Sequence, residues 1–160
     1  MMGNNTINEL KRRILNKKVS SKDKVEGTAS SLKETKEFEE YRALKKGESF
    51  SDGVDKYIRE KDIKASDLYT KAYVDRRVYS KMSNRDYKIS KNTAICFCLA
   101  MELSLFEAQE MLKRIGYALS NYDDFDIVIS YCFENKIYDI IEINGYLEDL
   151  HLPLLGQKTR

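Results

Sequence analysis

Apolar residues recur every three to four positions along most of this chain, the period of an amphipathic helix. Phe50, Val54, Tyr57 and Ile58 mark one such face, and Ser49 with an acidic residue three positions on, Asp52, supplies a helix start ahead of it. A second helix is predicted over residues 65–73, with Leu68 and Ala72 at helical spacing. After a short turn at Val74, a third is predicted over residues 75–83, with Asp75 as its N-cap and Tyr79 and Met82 on its inner side. A polar break leads into residues 91–103, which are apolar almost all round and predict a central buried helix. Ser104 and Glu107 fit a capping box, so a fifth helix begins at Leu105. Leu105, Ala108, Met111, Leu112 and Ile115 form its stripe, and Gly116 is placed to stop it. Two more helices are expected over residues 122–135 and 138–150. Ile127-Val128-Ile129 and Ile140-Ile141 have strand propensity, but segment length and flanking acidic residues favour helix. Gly145 interrupts the last helix and predicts a kink or a close helix contact. The segment Leu152-Pro153-Leu154-Leu155-Gly156 is apolar enough to dock, and residues 157–160 are expected to fray.

Residues 1–48 read differently. Ile7, Leu10, Ile14 and Leu15 give a short stripe among Lys11, Arg12, Arg13, Lys17 and Lys18. Residues 19–31 are polar and read as loop, and residues 32–46 are highly charged, with Phe38, Tyr41 and Leu44 at helical spacing and Gly47 as a stop. This part is expected to be a charged helical extension, partly flexible, that packs on the main domain or mediates self-association. The organisation expected is therefore an extension over 1–48, a compact helical domain over 49–156 and a frayed tail over 157–160.

Composition supports an all-α fold. One proline and seven glycines in 160 residues disfavour a turn-rich β architecture, and a 42% hydrophobic content suffices for a substantial core. The net charge of +2 hides an uneven distribution. Residues 1–48 hold 12 Lys/Arg against 8 Asp/Glu, residues 49–89 hold 10 against 7, residues 90–120 balance at 3 each, and residues 121–160 hold 3 against 8. The first half can face an anion and the last quarter cannot. Cys96, Cys98 and Cys132 all lie in apolar runs without metal spacing, which predicts structural thiols in a reducing cytoplasm. Neither a signal-peptide core near Met1 nor a membrane-spanning run is expected, since the longest apolar run, from Ala94 to Met101, is too short to span.

The chemistry is concentrated around residues 65–83, a helix-turn-helix-like segment. In that motif the first helix packs across the second, whose outer face enters the DNA major groove. Val74, Tyr79 and Met82 meet the demand for apolar inward positions. Arg76, Arg77, Ser80 and Lys81 would make the DNA contacts, with Asn84, Arg85 and Lys88 on the phosphates. Asp75 and Asp86 flank this cluster and weaken its field, and a pI of about 8.3 is modest for a DNA binder. Tyr69, Tyr73 and Tyr87 nearby would equally suit a protein interface.

The run Leu68-Tyr69-Thr70-Lys71-Ala72-Tyr73-Val74-Asp75-Arg76-Arg77-Val78-Tyr79-Ser80-Lys81-Met82, followed by the helices at 93–103 and 104–112, resembles the lambda-repressor-like (Xre-type) DNA-binding domains over residues 50–115. The resemblance implies a lambda-repressor-like helical core, here with two extra C-terminal helices. Two departures stand out: Tyr73 replaces the turn glycine, and Ser83-Asn84 replaces the acidic-Gly pair that follows the recognition helix. A resemblance over residues 50–156 rests on Tyr79-Ser80-Lys81-Met82, the stretch from Asp86 to Ala94, that from Arg114 to Ser120, Phe125-Asp126-Ile127 and Leu154-Leu155-Gly156. These look like an uncharacterised helical domain at the C-terminal ends of some bacterial macro-domain (ADP-ribose-binding) proteins. It implies a bacterial cytoplasmic setting and no particular activity.

Nothing points to an enzyme. His151 is the lone histidine and lacks partners for acid–base work. Asp123, Asp124 and Asp126 lack the glycine and terminal glutamate of a calcium loop, and Asp123 and Asp124 suit a helix N-terminus instead. There is no P-loop, dinucleotide fingerprint or nucleophile elbow. The expectation is a non-enzymatic DNA-binding regulator without cofactor or metal, dimeric through its N-terminal extension. The alternative is a protein-interaction or adaptor module on the same fold.

Overall fold

The computed structural model describes residues 35–156, and all regular structure among them is helical. The chain divides into two units, Met1–Gly47 and Glu48–Arg160. In the first, α1 (Lys36–Lys45) starts at Thr35, whose side chain accepts from the Phe38 N–H, and none of its residues is buried. The helix expected around Ile7 to Leu15 and the loop over 19–31 lie outside the described residues.

The second unit contains α2 (Phe50–Lys61), α3 (Ala65–Lys71), α4 (Arg76–Lys81), α5 (Lys91–Ala100), α6 (Leu105–Lys113), α7 (Asp124–Glu134) and α8 (Ile140–Asp149). At six of the eight described helix starts the N-cap side chain accepts a backbone N–H, and Lys64 before α3 and Asp123 before α7 do not. Ser49 and Asp52 cap α2 reciprocally, as do Ser104 and Glu107 for α6. The Ser49 backbone N–H, which donates to Asp52 Oδ2 at 3.0 Å, and secondarily the Ser49 side chain hold the Asp52 carboxyl below its ordinary range. Asp75 caps α4 by accepting from the Arg77 N–H at 2.7 Å.

Six of the eight described helices end by one rule that differs from expectation. Asp62, Tyr73, Glu102, Lys136 and His151 all take left-handed backbone with φ between 50° and 57°, joined by Gly116 at 81°. In each case the next residue's N–H donates to the carbonyl five positions back: Ile63 to Ile58, Val74 to Tyr69, Leu103 to Cys98, Tyr117 to Leu112, Ile137 to Cys132 and Leu152 to Leu147. These are Schellman closures, each followed by an apolar side chain. They explain why α5 stops at Ala100 rather than at 103. The predicted helices over 65–73, 122–135 and 138–150 are likewise trimmed by a residue or two at their ends. A non-glycine residue in this conformation costs about 1–2 kcal/mol. Lys136 is exposed, so Lys136→Gly is expected to stabilise the protein by about 0.5–1 kcal/mol, after the entropy glycine adds to the unfolded chain. A rise in the thermal melting point checks this, and an unchanged or lower one contradicts it.

The core is built round α5, in which every residue from Ala94 to Ala100 is buried, as expected for the central helix. Phe97 is fully buried, with the Phe50 ring edge-on at 6.4 Å and the Tyr79 ring at 6.3 Å. The three cysteines are free and buried, and burial pushes the Cys96 thiol up to about 12 and that of Cys132 to about 11. Thiols held so far above neutral pH remain protonated and inert as nucleophiles.

Asp126 is the exception to an apolar interior. It is 2% exposed, lies between 2.8 and 2.9 Å from Lys91 Nζ through its two oxygens, and accepts the Ser120 N–H at 2.8 Å. This pair joins the start of α5 to the first turn of α7.

The apolar tail docks, as its composition predicts, and two asparagines hold it. Asn92 on α5 donates to the Leu154 carbonyl at 2.9 Å and accepts the Gly156 N–H at 3.0 Å. Asn144 on α8 accepts the Leu155 N–H at 2.7 Å and donates to its carbonyl at 3.0 Å. Leu155 is 1% exposed beneath them. Gly156, at φ +69°, runs so close to the turn between α3 and α4 that a Cβ there would stand 3.1 Å from Tyr73 Cβ.

Gly145 corrects the expectation of a close contact. Nothing lies within 4 Å of where its Cβ would stand.

Candidate nucleic-acid interface

The helix-turn-helix-like segment is built by α3, the turn from Ala72 to Asp75, and α4. Leu68 and Ala72 are buried and seat α3 on α5. Tyr73 sits at φ +55°, so tyrosine occupies the left-handed position that a glycine would fill, and the turn forms without it. The Schellman closure supplies the compensation: the Val74 N–H reaches the Tyr69 carbonyl at 2.9 Å, and Val74 packs against the core.

Across the turn, α4 spans six residues, shorter than the predicted 75–83. Its inner side is as expected. Met82 is buried and Tyr79 half-buried, with the Tyr79 ring between Tyr69 at 5.3 Å and Phe97 at 6.3 Å. The Tyr79 hydroxyl donates to Asp55 Oδ1 at 3.4 Å, a contact between α4 and α2. Burial, and secondarily the Asp55 carboxylate, raises its pKa, so it is a neutral donor at physiological pH.

The outer side carries Arg76, Arg77, Ser80 and Lys81, all exposed. Arg76 with Ser80, and Arg77 with Lys81, are i, i+4 pairs and form two parallel rows on one arc of the helix. Asn84, Arg85 and Lys88 are also exposed but stand beyond α4, in the turn and coil before α5. The Asn84 side chain accepts the Asp86 N–H at 3.0 Å, which braces that turn. The seven residues named from the sequence thus share solvent-facing positions on a continuous stretch from α4 to the start of α5. The tyrosines do not form one exposed face: Tyr73 is 51% exposed, whereas Tyr69 and Tyr87 are half-buried against the core.

A cleft of about 770 Å³ borders α4. Arg77, Val78 and Lys81 form one wall, Asn92 and Thr93 of α5 another, and Leu154 of the tail closes it. Sequence reasoning missed Asn92 and Asn144, which bring the tail to this place. The signal that could have found them is an amide on the apolar side of a helix, a side chain that is costly to bury without a partner.

Among the described residues no group of three or more His, Cys, Asp or Glu side chains could hold a metal ion, and no helix is long and apolar enough to cross a membrane. No family model matches the chain, and neither the curated proteins nor the solved structures contain a match to it.

Proposed function

We propose that this protein is a non-enzymatic bacterial regulator, acting in the cytoplasm, that binds double-stranded DNA through a lambda-repressor-like helix-turn-helix. The observation that carries the reading is the division of α4 into an inner side of Tyr79 and Met82 and an outer arc of Arg76, Arg77, Ser80 and Lys81. Arginine presents a planar fork to the guanine edge, and lysine and serine bind phosphate. Arg85 and Lys88 extend the cationic track along the backbone, with the neutral Asn84 amide as a further phosphate donor. Reading two half-sites requires two copies, supplied by a homodimer through residues 1–48. A protein-interaction or adaptor module is the second reading, favoured by exposed Tyr73 beside the turn.

Duplex DNA of random sequence, titrated across a salt series, tests the proposal. Arg76→Ala/Arg77→Ala/Lys81→Ala is expected to reduce the salt slope by about 2.7, or about 40-fold in affinity change between 50 and 200 mM salt. Folded protein that binds no duplex at low salt, or a triple variant that binds like wild type, contradicts the DNA reading.

A further inference from the structure

The last two helices leave a surface that nothing in the unit covers. Ile127 and Tyr131, one turn apart on α7, are 45% and 58% exposed, and Ile141 on α8 is 64% exposed. Tyr146 joins them. Its hydroxyl donates to Glu142 Oε1 at 2.8 Å. Gly145 stands one turn from Ile141 in the middle of α8, exposed, with open space where a side chain would be. Glycine weakens a helix relative to alanine, and no contact within the unit requires it here. A glycine on an exposed helix face fits close approach by another helix, whose distance is set by the side chains at the crossing.

Charge identifies the occupant. From Asp124 to Asp149 the one cation is Lys136, whereas Glu134, Glu142, Glu148 and Asp149 are exposed around the apolar positions. A second copy laid on this face by twofold symmetry would set these carboxylates against their own kind. A cationic partner removes that repulsion.

We propose that the outer face of α7 and α8 is a docking surface for a basic amphipathic helix of a partner protein, which lays apolar side chains on Ile141, Tyr146 and Tyr131, crosses closely at Gly145, and pairs its cations with Glu142 and Asp149. Helix-in-groove recognition of this kind reads anchors at i, i+3, i+4 and i+7. None of these residues belongs to α4 or to the stretch that follows it, so the proposal stands or falls independently of DNA binding.

The full chain is titrated with a 15-residue leucine–lysine peptide whose leucines follow that spacing, and with a peptide of the same composition in scrambled order. The amphipathic peptide is expected to bind, and the scrambled one to bind at least about tenfold more weakly. Gly145→Leu should weaken binding about tenfold or more by preventing close approach. Gly145→Ala should weaken it several-fold while raising the melting temperature, a combination that damage to the fold cannot produce. Glu142→Lys/Asp149→Lys should also lose affinity. Absence of binding, equal binding of the scrambled peptide, or Gly145 variants that bind like wild type would overturn the proposal. So would sedimentation showing wild-type self-association that Gly145→Leu abolishes, since the occupant would then be a second copy.

Discussion

Phe97→Ala is expected to destabilise the second unit by about 3–5 kcal/mol, the cost of removing a fully buried aromatic ring and leaving a cavity. Three helices meet at this ring. Phe50 from α2 approaches edge-on, and Tyr79 from α4 lies against another side. The loss therefore includes aromatic pairing beyond the buried area. Domains of this size are stable by about 5–15 kcal/mol, so the variant should unfold at markedly lower urea and show a lower transition midpoint. Phe97→Leu keeps most of the volume and should cost roughly 1–2 kcal/mol. The contrast bears on the interface as well as on stability, because Tyr79 holds the inner side of α4 against Phe97. A cost below about 1 kcal/mol for the alanine variant would show that the ring is not packed as described.

The second large effect concerns the buried ion pair. Lys91→Met leaves the Asp126 carboxylate, 2% exposed, with the Ser120 N–H and no cation. Stranding one member of a buried pair costs about 3–5 kcal/mol. The Lys91 side chain is 31% exposed and water reaches its end of the pair, which brings the expected cost below that range, to about 2–3 kcal/mol. Lys91→Met/Asp126→Leu removes both charges and should recover most of that loss, because an apolar pair of similar volume has no desolvation cost. Urea titrations of the two single variants and the double variant form a cycle that isolates the coupling. If the double variant is as unstable as the two singles added together, the pair contributes no coupling and its role is limited to side-chain packing.

Helix starts were readable because their determinants are local and carried by side chains. Ser49 with Asp52, Ser104 with Glu107, and Asp75 each identify a start within four residues of sequence. Gly47 follows the end of α1 as expected, and among the left-handed ends one was readable, at Gly116, because glycine is the residue whose presence announces left-handed backbone. At Asp62, Tyr73, Glu102, Lys136 and His151 the same conformation is imposed by the closure that follows, so residue identity conceals it. The recurrent pairs Asp62-Ile63, Tyr73-Val74, Glu102-Leu103 and Lys136-Ile137, each shortly before a new helix, carry the missing signal. The outward arc of α4 followed from helical period alone. The cleft beside it did not, because the Leu154 wall arrives from 62 residues beyond Asn92. Asp126 was also hidden: in a run of three aspartates, only the path of α7 decides that this one turns inward to Lys91.

The asparagine clasp on the tail has a consequence for synthesis. Asn92 finds its partners 62 and 64 residues later in the chain. At about 5–20 residues per second, a ribosome takes roughly 3–13 s to deliver them. Helices whose boundaries are set locally form within about a microsecond. The nascent chain therefore waits for seconds with the Asn92 amide unengaged by the tail and with short helices that lack their final packing. That interval is when a chaperone has most to bind.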